Sequence, residues 1–235
     1  MAIDEAIFKC CAAGQVPPTI RIYQWEKSSI SIGYMQKTID LDLCAREGVD
    51  VVRRITGGRA VVHGKDLTFS ISMKESELPK EHSSILQSHR WLMQPMIEAI
   101  RSLGIKADFG DPRKSITTPN TADCFASIAA CDIKSGSHKM VGSAQVRKYN
   151  ALLEQGSIPY GIPEFDVESI LKSSFYINQE NSSSLTFGKL AEVIISCFSN
   201  FTDEIVMGKL TNDELEIAEE LFEIKYSRIE WSSRL

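Results

Sequence analysis

Asp50-Val-Val-Arg-Arg-Ile55, Thr56-Gly57-Gly58-Arg59, Ala60-Val-Val-His63 and Asp66-Leu-Thr-Phe-Ser-Ile-Ser-Met73 form the stretch that decides the fold class. It reads as two strands separated by a paired-glycine loop. Glycines at such a place permit positive φ and let backbone N–H groups come close to a ligand. Arg53, Arg54 and Arg59 add charge suited to a phosphate or a carboxylate. Taken by itself, a Gly-Gly pair between strands is simply a turn.

On the N-terminal side, Ile3, Ala6, Ile7, Cys10 and Cys11 recur at helical spacing up to Gly14, an amphipathic helix with a glycine stop. Residues 19–25 and 29–33 alternate with period two and read as the strands of a hairpin. Residues 40–47 form a short helix before Gly48. On the C-terminal side, Ile85, Leu86, Leu92, Met93, Met96, Ile97, Ile100 and Leu103 mark one long helix over about 81–103, kinked at Pro95. Segment 112–122 has the composition and length of a mobile, functional loop. Residues 130–133, 139–145 and 150–160 read as three antiparallel strands. The tail is helical over 164–172, over 184–200 and from Thr211, where Glu214 completes a capping box and Leu215, Ala218 and Phe222 supply an apolar face. The result is an α+β fold, a mixed, largely antiparallel sheet packed with helices plus a small C-terminal helical lobe. The polar stretch 178–184 divides a main domain, 1–177, from a helical extension, 178–235.

Composition narrows the function. With 235 residues, 43% hydrophobic and 24% charged, the chain can bury a real core and resembles neither a disordered nor a collagenous protein. No apolar run nears the ~20 residues that span a bilayer, so no membrane partner is expected. A net charge of −5 offers no overall field for a phosphate backbone, so nucleic acid is not expected either. Cys10, Cys11, Cys44, Cys124, Cys131 and Cys197 show no CxxC or Cys/His spacing, which argues against a disulfide scaffold and a structural metal. Residues 1–5 lack the features of a secretory signal, which points to the reducing cytoplasm.

Two further segments carry residues that packing does not demand. One is Asp123-Cys124-Phe125, at the end of the long loop; the other runs from Lys139 to Gln145 through Gly142-Ser143-Ala144. A loop thiol beside a lysine has the makings of an activated nucleophile, because an ammonium stabilises a thiolate. The alternative makes Cys124 a core residue and Lys139 a solvated hairpin residue. For His63, a hydrogen-bonded staple of the glycine loop competes with direct chemistry.

Together, Met1–Ala6, Tyr23-Gln-Trp25 with Ser31–Gln36, Arg53–His63 with Leu67–Ser70, Cys124-Phe125, Lys139–Arg147 and Gly156-Ser-Ile158 resemble the biotin/lipoate protein ligase family in order and spacing over residues 1 to about 160. The details look most like its cysteine-dependent octanoyl-acyl carrier protein:protein octanoyltransferases. Arg59 stands where typical ligases show a third glycine, His63-Gly-Lys-Asp-Leu67 has the shorter transferase-like spacing, and Cys124 precedes Lys139 by fifteen residues.

The resemblance implies that Cys124, assisted by Lys139, takes an octanoyl group from acyl carrier protein. It would pass the group to a lysine of the glycine-cleavage H protein or a lipoyl domain, without a cofactor. Arg54, Thr56, Gly57, Gly58, Arg59, His63, Gly142, Ser143, Gln145 and Gly156 would surround the substrate. An ATP-dependent lipoate ligase or lipoyl amidotransferase shares nearly all these residues, and a non-catalytic carrier-binding protein on the same scaffold is a third reading. Three departures stand out: Gln155 replaces a usual His, Gly64 replaces a usual Asp, and relatives carry a segment upstream of the motif that starts here at Met1. A straight strand over 124–134 would leave Cys124 roughly 30 Å from Lys139 at ~3.3 Å per residue, so a break at 126–130 is expected to fold the thiol back.

Overall fold

Helix α1 (Ala2–Ala13) buries Ala6, Ile7, Phe8, Cys10 and Cys11 and stops at Gly14. The computed structural model describes residues 1–111, 122–126, 128–172 and 185–234. After α1 come β1 (Thr19–Tyr23), β2 (Ser29–Ile32), α2 (Leu41–Arg46), β3 (Asp50–Arg53), β4 (Val61–His63) and β5 (Asp66–Lys74). Then follow α3 (Ile85–Leu92), α4 (Gln94–Ser102), β6 (Asp108–Phe109), β7 (Ile133–Ser135), β8 (His138–Lys148) and β9 (Ala151–Pro159). The remaining α-helices among the described residues are α5 (Val167–Leu171), α6 (Phe187–Phe201), α7 (Asn212–Leu221) and α8 (Ile229–Ser233). None of the described helices is long and apolar enough to cross a membrane.

A six-stranded antiparallel sheet runs in the order β1-β5-β9-β8-β7-β6, and a three-stranded sheet in the order β3-β2-β4, with β2 parallel to β3 and antiparallel to β4. This is the mixed, largely antiparallel α+β architecture that the sequence indicates. Because side chains alternate across a strand, β5 turns Leu67, Phe69, Ile71 and Met73 to one face, where they pack with Met96, Ile97 and Ile100 of α4 and Leu190, Ile194 and Phe198 of α6. Its other face carries Thr68, Ser70 and Ser72, all buried; Ser70 Oγ donates to Asp4 of α1 at 3.1 Å. That polar face leads into the functional cleft.

Three local expectations are corrected. β1 and β2 do not form a hairpin: β1 is a half-buried edge strand on β5, whereas β2, buried at all four positions, is the centre of the small sheet. A strand covered on both faces needs a partner on each side, and β3 and β4 supply them. The long helix over 81–103 is two helices meeting at Met93, with Pro95 in the first turn of α4, where its missing N–H has no intrahelical partner to lose. In α7 the capping box of Thr211 and Glu214 forms, but the packed stripe is shifted to Ala218 and Leu221 against Ala6, leaving Leu215 and Phe222 exposed. The expected boundary at 178–184 and all but the last residue of the expected loop 112–122 lie outside the described residues.

Candidate active site

Cys124 takes its position from the backbone. The Ala60 N–H donates to the Ala122 carbonyl and the Cys124 N–H to the Ala60 carbonyl, each at 2.8 Å, a parallel bridge that ties the thiol to the end of the glycine loop. Asp123 Oδ1 accepts from the Phe125 N–H at 2.9 Å and turns the chain just after the thiol. Residues 124–126 and 130–132 bend before β7 begins at Ile133, so the straight-hairpin separation does not arise. Lys139 Nζ lies 3.2 Å from Cys124 Sγ, 3.3 Å from the Cys124 carbonyl and 2.9 Å from Asp132 Oδ1. All three ammonium protons thus have acceptors.

The Lys139 side chain is only 3% exposed. Burial works against its charge, but the Cys124 sulfur and the Asp132 carboxylate outweigh burial and raise its pKa above the ordinary lysine value. In the resting site Lys139 is therefore a donor and not a base. A Cβ at Gly142 would fall 2.6 Å from Lys139 Cε and 3.0 Å from Nζ, so glycine there leaves the lysine its path to the sulfur.

Asp132 was not among the residues singled out from sequence. An aspartate within residues 130–133, which read as a strand, carries no signal of its own; only the fold-back reveals its lysine. Asp132→Asn keeps an acceptor oxygen but removes the charge. It is expected to slow acyl transfer about 10–100-fold and to cost roughly 1–3 kcal/mol of stability, read by single-turnover kinetics and urea melts.

Arg54 holds the backbone of the glycine loop. Arg54 donates through Nη1 to the Ser31 carbonyl at 2.8 Å and through Nη2 to the carbonyls of Gly57 at 2.8 Å and Arg59 at 2.7 Å. Burial lowers its pKa to about 10, with Cys124 and Tyr23 opposing that shift. Gly58, at φ 88°, takes a left-handed conformation over this guanidinium. Thr56 Oγ1 donates to Gln155 Oε1 at 3.0 Å, and Gln155 Nε2 donates to Asp4 Oδ2 at 2.7 Å. Gln155 thus links α1 to the glycine loop. His63 makes its hydrogen bonds to Asp66 at 2.7 Å, Ser31 at 2.8 Å and Thr68 at 3.4 Å, so Arg54 is what staples the loop.

These groups surround an open cleft lined by Arg54, Gly58, His63, Cys124, Gly142, Ser143 and Gly156 from the expected set, together with Ser31 and Gln155. Thr56, Gly57, Arg59 and Gln145 stand outside the lining, and Lys139 reaches it through Cys124. Gln145 belongs to a neighbouring polar cluster, donating to Glu154 Oε2 at 3.2 Å and accepting from Ser88 at 3.2 Å. There His89 faces Glu154 at 3.0 Å, the Cys131 carbonyl at 3.0 Å and Ser143 Oγ at 3.2 Å.

Burial opposes the charge of His89, but Glu154 and the Cys131 carbonyl push its pKa from 6.5 up to about 11. A raised folded-state pKa stabilises fully below the unfolded value and is lost as pH climbs through the folded one. Urea melts should therefore show wild type losing stability between about pH 6.5 and 11 more steeply than His89→Gln.

Residues 1–185 match the family model of the lipoyl protein ligase A/B catalytic domain. A curated relative, the octanoyltransferase LipM of Clostridioides difficile (strain 630), is 35% identical over 258 residues, spanning all of this chain and 93% of the relative. The solved structure of lipoate-protein ligase A bound with ATP is similar at a TM-score of 0.81 and 26% identity, over 99% of this chain and 92% of that one. A bipartite lipoate protein ligase from Thermoplasma acidophilum, studied with its E2 lipoyl domain, shares the fold at a TM-score of 0.73 and 22% identity, over 99% and 89% of the two chains.

Proposed function

We infer that this chain, which belongs to the lipoyl protein ligase A/B catalytic domain family and is an acyltransferase, moves octanoyl groups in protein lipoylation. The donor is octanoyl-acyl carrier protein, and the acceptor is a lysine of the glycine-cleavage H protein or of a lipoyl domain. One observation carries this reading: a lysine ammonium 3.2 Å from a cysteine sulfur at the wall of an open cleft.

The Cys124 thiolate attacks the donor thioester, the new C–S bond forms as the old one breaks, and the carrier leaves as its thiolate, which takes a proton from solvent. The product is octanoyl-Cys124, a thioester close in free energy to the donor, so no ATP enters. The Lys139 ammonium, freed from the thiolate on acylation, can donate to the carbonyl oxygen as charge develops there. Gly58, Gly142 and Gly156 line the cleft without side chains and leave room for the acyl chain, each buried CH₂ of which contributes ~0.8 kcal/mol.

The likeness to an ATP-bound lipoate-protein ligase A makes an ATP-dependent ligase the competing reading. Octanoyl-acyl carrier protein and a lipoyl domain are incubated without nucleotide, and octanoic acid with ATP in parallel. Octanoylation of the acceptor in the first mixture alone is the expected result. Octanoylation only in the second would make the chain a ligase, and none in either would leave it a carrier-binding protein.

A further inference from the structure

Resting on the acyl-enzyme reading above, we propose that His63, oriented by Asp66 and reached through the Ser31 hydroxyl, takes the proton that frees the acceptor lysine to attack octanoyl-Cys124. The acceptor ε-amine arrives as an ammonium, because an ordinary lysine pKa is about 10.4. Something at the cleft must accept a proton before the nitrogen can act as a nucleophile. In octanoyl-Cys124 the sulfur carries no charge, but the Asp132 carboxylate 2.9 Å away still pairs with the Lys139 ammonium and keeps its protons in place. Gln155 has no titratable group, and Arg54 spends its donors on backbone carbonyls. His89 is held as a cation beside Glu154. Among the described side chains lining the cleft, Cys124 apart, His63 alone can present a basic lone pair.

The hydrogen bonds set which nitrogen presents it. Asp66 is buried, which opposes its charge, but His63, Ser157 and the Gly64 N–H hold its pKa below the ordinary carboxylate value. Asp66 Oδ2 is therefore an acceptor, and the 2.7 Å contact places a proton on His63 Nδ1. That leaves Nε2 facing Ser31 Oγ at 2.8 Å, the nitrogen at which the relay would deliver the proton. Ser31 Oγ in turn accepts from Arg54 Nη1 at 3.2 Å, which directs its own hydrogen at Nε2. Trp25 stacks on the imidazole, with centroids 4.3 Å apart and planes within 18°, and fixes its tilt. Stacking and the Asp66 bond would suffice for a packing histidine; the Ser31 link, on the wall shared with Cys124, is what they leave unexplained.

The acceptor ammonium gives one proton to Ser31 Oγ as Ser31 gives its own to His63 Nε2. The freed amine bonds to the thioester carbon, the C–S bond breaks, and the electron pair leaves on the Cys124 sulfur. The second nitrogen proton goes to that sulfur as the amide forms. His63, now an imidazolium against the Asp66 carboxylate, returns its proton to solvent.

The test separates this step from acylation. Octanoyl-enzyme is prepared from octanoyl-acyl carrier protein for wild type, His63→Gln and Ser31→Ala, and then discharged with a lipoyl domain or with hydroxylamine, which is unprotonated at neutral pH. Discharge to the lipoyl-domain lysine should fall about 100-fold in His63→Gln and about 10-fold in Ser31→Ala, with hydroxylamine discharge within about 3-fold of wild type. Equal losses with both acceptors, or undiminished transfer to lysine, would overturn the relay while leaving the acyl-enzyme standing. A wild-type enzyme that forms no octanoyl-Cys124 would remove both. Ser31→Ala, which deletes one hydroxyl, keeps the question decidable if His63→Gln folds poorly.

Discussion

Cys124→Ser is expected to lower octanoyl transfer by at least about 10⁴-fold, with the fold intact. The substitution changes one atom at a half-buried position fixed by backbone bonds to Ala60, so the segment should stay where it is. The chemistry changes completely. A thiol beside an ammonium can be present as a thiolate, whereas a serine hydroxyl stays neutral with Lys139 as its neighbour, because that lysine is a donor and cannot serve as its base. Cys131→Ser is the matching control: its backbone carbonyl accepts from His89, and the account gives its thiol no step. Single-turnover rates with octanoyl-acyl carrier protein measure both variants. A Cys124→Ser rate within about tenfold of wild type would contradict the role assigned to the thiol.

Arg53→Met is expected to produce the largest loss of stability, about 3–5 kcal/mol in urea unfolding. Arg53 is fully buried, and its partners are backbone carbonyls rather than carboxylates. It donates to those of Gly33 at 2.7 Å, Gln36 at 2.6 Å, Ser232 at 3.0 Å and Arg234 at 2.6 Å, with Trp231 at 3.2 Å and Tyr34 at 3.3 Å. Methionine fills similar volume and strands all of these acceptors. Trp231 Nε1 returns a bond to the Arg53 carbonyl at 2.7 Å, so the tie between α8 and Arg53 is mutual. Gln36 Nε2 also donates to the Ala122 carbonyl at 3.1 Å, which carries the tie onward to the segment that holds Cys124. Hydrogen exchange should therefore rise at α8 and near residue 122 together. A loss under about 1 kcal/mol would mean that the carbonyls find other partners.

Arg53 also marks where sequence reading stops. Beside Arg54 and Arg59 in a glycine loop it reads as charge for a ligand, yet three of its six carbonyl partners lie about 180 residues away, beyond any local pattern. Local signals did carry the Gly14 stop of α1, the Thr211 capping box and the β8–β9 pair, because each is decided by a few adjacent residues, whereas the strand expected over 130–133 begins only at Ile133, residues 130–132 being turned toward Lys139. Strand pairing was less legible. Period two marks β1 and β2 as strands but is silent on whether they pair with each other, and the burial of β2 on both faces depends on β3 and β4. At the site, the proximity of Cys124 and Lys139 was expected only by requiring a break in the strand, and the Ala60–Cys124 bridge that builds it leaves no sequence signature. Asp132, Ser31 and Asp66 escaped notice for the same reason: each gains its meaning from a partner that folding brings to it.

The most direct test of the account is to locate the acyl group. After incubation with octanoyl-acyl carrier protein and no ATP, the enzyme is digested and its cysteine peptides are mapped by mass, with and without hydroxylamine. The account predicts a hydroxylamine-labile octanoyl group on the peptide carrying Cys124 and none on the peptide carrying Cys131. An octanoyl group on Cys131, or none on any cysteine, would contradict it.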